Sequence, residues 1–208
     1  NEGAAMGLAA GYHLATGKVP LVYMQNSGLG NLVNPLLSLA DKDVYSIPAL
    51  IIIGWRGQPN VKDEPQHIKQ GEVTLDLLDA MDMPYYVLEQ KPLEILKSEI
   101  DQIIDTINKD KSPYFIVVPK EVFSDYNIKT KPTPRYELKR EEAIKIIVDQ
   151  MTDEDIVVST TGKTSRELFE YRVKLGQSHE NDFLTVGSMG HASQIALGIA
   201  LNKPKLKI

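Results

Sequence analysis

Apolar positions along this chain follow two periods, one helical and one extended, and the two alternate. Ala4, Ala5, Leu8, Ala9 and Tyr12 recur at helical spacing as far as Gly17, after which residues 19–24 read as a buried strand. A turn, Asn-Ser-Gly-Leu-Gly, is predicted at 26–30, and a helix over 32–40 with Pro35 in its first turn. Residues 49–53, Ala-Leu-Ile-Ile-Ile, form a continuous apolar run of the kind buried on both faces of a parallel sheet. Residues 54–71 lack that pattern. With Pro59, Pro65, Arg56, Lys62, Asp63, Glu64 and His67, they read as a long polar loop, and loops of that length in compact domains are usually functional. Helical spacing returns over 73–81 and again at Leu93, Leu96, Ile100, Ile103 and Ile107, with strands predicted at 85–88 and 114–118.

The alternation breaks once. Residues 119–136 carry three prolines, three lysines and an arginine with little periodicity, which is the composition of a surface linker. A second unit then begins with a helical stripe at Ala143, Ile146, Ile147 and Met151, a strand at 155–158, and a polar turn at 160–167 that opens a helix to Leu175. A strand over 183–186 leads into Gly187-Ser-Met-Gly190 and a helix of small apolar residues, expected to be buried on most faces. Residues 206–208 read as the start of another strand. The fold class is therefore α/β with parallel sheets, in a domain at 1–120, a linker at 121–136 and a second domain at 137–208. The chain enters its first helix at once, without a leading strand, as a piece of a longer protein would.

Charge and composition narrow the function classes. A net charge of −5 and the absence of any basic run exclude a phosphate-backbone surface, so no nucleic-acid partner is expected. The chain has no cysteine, which excludes disulfides and thiolate metal sites and suits the cytoplasm. No apolar run has membrane-spanning length and no signal peptide is evident.

Two nucleotide motifs fail on spelling. Gly28-x-Gly30-x-x-Val33 lacks its third glycine, and the strand ending at Ile53 has no acidic residue after it for a ribose. Gly162-Lys163-Thr164 ends like a phosphate-binding loop, yet the first glycine would fall at Val157. Hydroxyls, a lysine and free N–H groups at a helix start still favour an anion at 161–164, and a simple capping turn accounts for the same residues.

Asn1-Glu2-Gly3, Ala10-Gly-Tyr, Thr16-Gly-Lys, Asn26-Ser-Gly-Leu-Gly, Thr160-Thr-Gly-Lys-Thr and Gly187-Ser-Met-Gly-His-Ala together resemble the thiamine-diphosphate-dependent 2-oxo acid decarboxylases. The segments 63–67 and 160–167 look most like the phosphonopyruvate branch, with the sulfopyruvate branch close behind. The resemblance implies two doubly wound domains, a pyrimidine-binding one lacking its opening strand and helix and a diphosphate-binding one lacking its C-terminal part. Glu2 would hydrogen-bond N1′ of the aminopyrimidine, a role that calls for a carboxyl shielded from water. Gly187, Ser188, Met189, Gly190 and His191 would contact the cofactor, Met189 wedging it into a bent shape, while Thr161, Gly162, Lys163 and Thr164 would hold the diphosphate. His191 has a second reading as a helix cap.

Mg²⁺ is implied as well, with ligands expected outside these residues, so no metal ligand is named. His67 is the candidate for proton transfer, and Arg56, Lys62, Lys69 and Asn26 are the candidates for an anionic tail, Asn26 also as a catalytic residue. His13 and His179 read as solvated or locally bonded. The implied reaction converts 3-phosphonopyruvate to phosphonoacetaldehyde and CO₂. Sulfopyruvate decarboxylation and a binding module without turnover are the alternatives, and the presence of both domains in one chain favours the phosphonate branch. A homodimer or dimer of dimers is expected, with each cofactor held between the first domain of one subunit and the second domain of the other.

Overall fold

The computed structural model describes residues 1–130 and 135–208 in two compact units, Asn1–Tyr126 and Asn127–Ile208. The expected linker at 121–136 lies partly outside the described residues. The first unit holds α1 (Glu2–Thr16), β1 (Leu21–Gln25), α2 (Leu29–Pro35), β2 (Ala49–Gly54), α3 (Pro65–Glu72), α4 (Thr74–Ala80), β3 (Tyr85–Val87), α5 (Leu93–Asp110) and β4 (Pro113–Val118). All strand pairs are parallel, in the order β1-β2-β4-β3, with Ile51 opposite Val22 on one side and Phe115 on the other.

Both faces of this sheet are covered, which is why β2 and β4 read as continuous apolar runs. Ile51, Ile53, Phe115 and Val117 join Met6 of α1, Leu29 and Leu32 of α2 and Leu78 of α4 in one core. Ile116 and Val118 point the other way, into Ile103 and Ile107 of α5. Because β1, β2 and β4 run the same way, their carboxyl ends and the loops that follow them gather along one edge, the edge at which open α/β sheets bind ligands.

Two elements differ from the sequence expectation. Pro35 ends α2 rather than opening a helix, and a wider helical turn, Leu36–Ala40, follows it. Proline has no N–H for the Asn31 carbonyl, so α2 gives way to wider hydrogen bonding there. Residues 54–71 are not a single loop, since the loop ends at Glu64 and α3 follows with Pro65 at its first position.

Loop and helix meet backbone to backbone. Gly57 sits at φ 67°, and a Cβ there would overlap the His67 carbonyl oxygen. A Cβ on Gly71 would in turn overlap the Gly57 carbonyl. The Trp55 indole N–H donates to the Gly71 carbonyl at 2.9 Å.

The second unit contains α6 (Arg140–Val148), β5 (Val157–Ser159), α7 (Lys163–Leu175), β6 (Asp182–Leu184) and α8 (Ala192–Asn202), with β5 and β6 paired in parallel. Residues 206–208 form no strand, although the Lys207 carbonyl accepts from the Ile156 N–H at 3.0 Å. Helix α8, expected to be buried on most faces, has no buried residue in this chain, and Leu201 is 73% exposed. Its apolar sequence runs all round the helix, and only one face can meet β5.

The Gly57–Gly71 contact yields a stability prediction. Gly71→Ala should cost about 2 kcal/mol or more, because the methyl group has only backbone to displace. Urea unfolding measures it, and a loss within about 0.5 kcal/mol, the range of ordinary surface changes, would contradict the close packing.

Candidate active site

Glu2 stands in the first turn of α1, where the Asn1 side chain accepts from the Ala4 N–H at 3.1 Å. Its carboxylate accepts from the Asn31 amide at 2.9 Å, and its side chain lies so close over Gly28 that a Cβ there would strike it. Glu2 is thus pinned over α2 by the turn after β1. The expectation of a water-shielded carboxyl is not met within this chain: Glu2 is only half-buried, and the Asn31 hydrogen bond holds its pKa below the ordinary glutamate value.

Asn26 has a different job from the one expected. It is 1% exposed, and its amide nitrogen donates to the Arg56 carbonyl at 2.8 Å and to the Thr74 hydroxyl at 2.9 Å. Its side-chain oxygen accepts from the Arg56 N–H at 3.1 Å. Both donor hydrogens are committed inside the protein, so Asn26 ties the end of β1 to the end of β2 and the start of α4, and has no N–H left for a substrate tail.

The cations are also partly committed. Arg56 forms a two-pronged pair with Asp63, Nε to Oδ2 at 2.8 Å and Nη2 to Oδ1 at 2.5 Å. Lys69 reaches Glu72 at 3.2 Å, and Lys62 has no ion-pair partner among the described residues. His67 occupies the first turn of α3, half-buried, with its pKa lowered by burial and by the Arg56 charge, so the imidazole is neutral near pH 7. A cleft of about 860 Å³ opens at the carboxyl ends of β1, β2 and β4, lined by Tyr23, Trp55, Arg56, Lys62, Lys120 and Phe123 among others. Glu2, Asn26 and His67 are not part of its wall.

In the second unit, α7 begins at Lys163 after Gly162 at φ 82°, and no side chain caps its N-terminus. Thr161 and Thr164 are half-buried and Lys163 is exposed, so first-turn N–H groups, hydroxyls and an ammonium are on offer to an anion. Buried hydroxyls fix this turn. The Ser165 hydroxyl lies 2.7 Å from that of Ser159 and contacts the carbonyls of Thr160 and Thr185 at 2.8 and 2.9 Å, and the Thr185 hydroxyl donates to the Ser159 carbonyl at 2.5 Å. One hydroxyl cluster therefore braces both the 160–164 turn and the entry to 187–190.

That second turn is strained. Ser188 has φ 54° and Gly190 φ 86°, a left-handed conformation that costs a serine energy and recurs at ligand clamps. It holds Met189 60% exposed. The His191 ring nitrogen Nδ1 lies 3.1 Å from both the Ser188 and Met189 carbonyls, so the imidazole bonds to its own turn. His13 bonds to the Lys18 carbonyl at 2.9 Å, while His179 stacks on Phe169 and contacts the buried Asp182.

Sequence reasoning missed the residues that hold others in place. Asn31, Thr74, Asp63, Ser159, Ser165 and Thr185 act through contacts that single-sequence patterns do not show.

The sequence profile of the thiamine pyrophosphate enzyme N-terminal TPP binding domain matches residues 1–83. Over 98% of its length the chain is 36% identical to a phosphonopyruvate decarboxylase of Streptomyces hygroscopicus and 35% identical to one of Streptomyces viridochromogenes. It is 29% identical, also over 98% of its length, to a sulfopyruvate decarboxylase of Methanosarcina acetivorans. These alignments cover 52%, 53% and 55% of the relatives, so the chain spans about half their length. Since the sulfopyruvate enzyme aligns with both units as well, joining them in one chain does not separate the two branches. The profile covers α1, with Glu2 at its start, the Asn26 turn and α3, so residues 1–83 are similar to the N-terminal TPP binding domain of the thiamine pyrophosphate enzymes.

Proposed function

We propose that the intact protein is a thiamine-diphosphate-dependent decarboxylase of a small anionic 2-oxo acid, foremost 3-phosphonopyruvate, yielding phosphonoacetaldehyde and CO₂. The observation that carries this reading is the 36% identity over 98% of the chain to a phosphonopyruvate decarboxylase, against 29% for the sulfopyruvate enzyme. The site residues fit the cofactor's chemistry. An uncapped helix N-terminus with Thr161, Gly162, Lys163 and Thr164 suits a diphosphate, and a strained turn presents Met189 to an apolar ring. Mg²⁺ would accompany the diphosphate, with no residue of this chain assigned to it.

When bound, the thiazolium supplies the electron sink for the departing carboxylate. The chain's own part is orientation and proton handling. Glu2 would exchange its Asn31 hydrogen bond for one to N1′, and covering by a second subunit would desolvate the carboxyl and raise its pKa toward the range where it shares a proton. His67, neutral near pH 7, would accept or return a proton, and Lys62, without an ion-pair partner among the described residues, is the strongest cation for the anionic tail. The bare face of α8, with Leu197 and Leu201 exposed, supports a homodimer or dimer of dimers in which each cofactor is shared between subunits.

Sulfopyruvate is the second reading, favoured by the alignment with the Methanosarcina enzyme. A coupled aldehyde assay on the intact protein with thiamine diphosphate and Mg²⁺ separates the two. The expected result is turnover of phosphonopyruvate ahead of sulfopyruvate and pyruvate, and equal or faster turnover of sulfopyruvate would overturn the substrate assignment. Glu2→Gln should lower kcat about 100-fold or more while leaving the circular dichroism spectrum unchanged, since an amide cannot share the proton. A variant with undiminished kcat would remove Glu2 from the site.

A further inference from the structure

We propose that Asp63 is the positioning residue that sets where His67 stands, by clamping the start of α3 to the end of β2. Its side chain is 11% exposed and receives four hydrogen bonds: Arg56 Nε at 2.8 Å, Arg56 Nη2 at 2.5 Å, the Gly57 N–H at 2.7 Å and the Glu64 N–H at 2.7 Å. A carboxylate offers about four lone-pair sites, so Asp63 has none left for substrate. With its acceptors filled by one guanidinium and two backbone N–H groups, its pKa lies well below the usual aspartate range, and it stays ionised wherever the protein is folded near neutral pH.

The clamp works because both of its jaws are fixed. On the β2 side, the Arg56 backbone is held in both directions by Asn26. On the helix side, Glu64 occupies the N-cap position of α3 and His67 follows within the first turn, its N–H donating to the Glu64 carbonyl at 2.9 Å. Between the jaws the backbone at Gly57 bears directly on His67 and on Gly71, with no side chain to absorb a shift. Loosening Asp63 frees the 56–57 corner, and the helix segment that carries His67 moves with it. The charged groups acting on the imidazole are Arg56, Asp63 and Glu64, so neutralising Asp63 leaves the Arg56 charge less balanced at the ring.

The inference uses the proposed reaction only in giving His67 a part in turnover, and its test has an arm that needs no activity. In the intact protein, each of the four histidines can be followed by NMR of ¹³C-labelled imidazole, with His67→Gln assigning the signal. Asp63→Asn keeps the shape and removes the charge. The His67 midpoint should fall, and kcat should drop about 10-fold to 100-fold, as expected for a misplaced proton-transfer group, with a smaller change in KM. The acidic limb of the kcat/KM profile should move to lower pH in step with the NMR midpoint. Arg56→Lys, which keeps the positive charge but loses the two-pronged geometry, should lower kcat with little change in the midpoint, and it decides the matter if Asp63→Asn fails to fold. A folded Asp63→Asn protein with an unchanged midpoint and wild-type kcat overturns the clamp. An unaltered protein without decarboxylase activity counts against the proposed reaction instead, and the NMR titration still decides whether Asp63 governs His67.

Discussion

The arrangement at the carboxyl edge of the first unit depends on one buried amide. Asn26 sits at the exit of β1 and grips the Arg56 backbone at the exit of β2 from both sides, while also binding the Thr74 hydroxyl at the start of α4. A buried amide left unpaired is costly, so the arrangement that satisfies all three bonds at once is favoured. Together they align two adjacent parallel strands at the edge where ligands of such sheets bind, and they fix the point from which Arg56, Asp63 and α3 are hung.

The same strategy recurs in the second unit with hydroxyls in place of an amide. Ser159, Ser165 and Thr185 bind one another and the carbonyls around them, so the anion-favouring turn at the head of α7 and the strained turn carrying Met189 share a support. In both units, the residues best suited to touch a cofactor or substrate are half-buried or exposed, and they are held by buried neighbours whose polar atoms are used up inside the protein. This division accounts for Asn26, whose amide hydrogens are used inside the protein, while Arg56 is paired with Asp63 and still lines the cleft.

Much of the fold was legible because it rests on local periodicity. The runs at 49–53 and 114–118 became the two central strands, and the spacing from Leu93 to Ile107 became α5. Helix α3 was not legible, because Pro65–Glu72 has almost no apolar face and is helical through tertiary contacts, namely the Trp55 indole at Gly71 and Asp63 at its start. Pro35 was misplaced for the converse reason: the apolar spacing over 32–40 hid the fact that α2 starts earlier, at Leu29. Of the site, the turns at 161–164 and 187–190 could be read from glycine, hydroxyl and helix-start signals. The roles of Asn31, Thr74 and Ser165 could not, since each makes a hydrogen bond that reaches across 20 or more residues.

The proposed chemistry turns on what Glu2 does when the cofactor is present. In this chain its carboxylate rests on Asn31, half-exposed and readily ionised, and the proposed chemistry requires it to leave that partner for the aminopyrimidine. The direct measurement is the distance from the Glu2 carboxylate to N1′ in a crystal structure of the intact protein with thiamine diphosphate and Mg²⁺. A separation of about 2.6–3.2 Å, within hydrogen-bond reach, with the diphosphate on a second subunit's Thr161–Thr164 turn, is the result expected here. Glu2 still bonded to Asn31, with the cofactor's pyrimidine bound elsewhere, would contradict it.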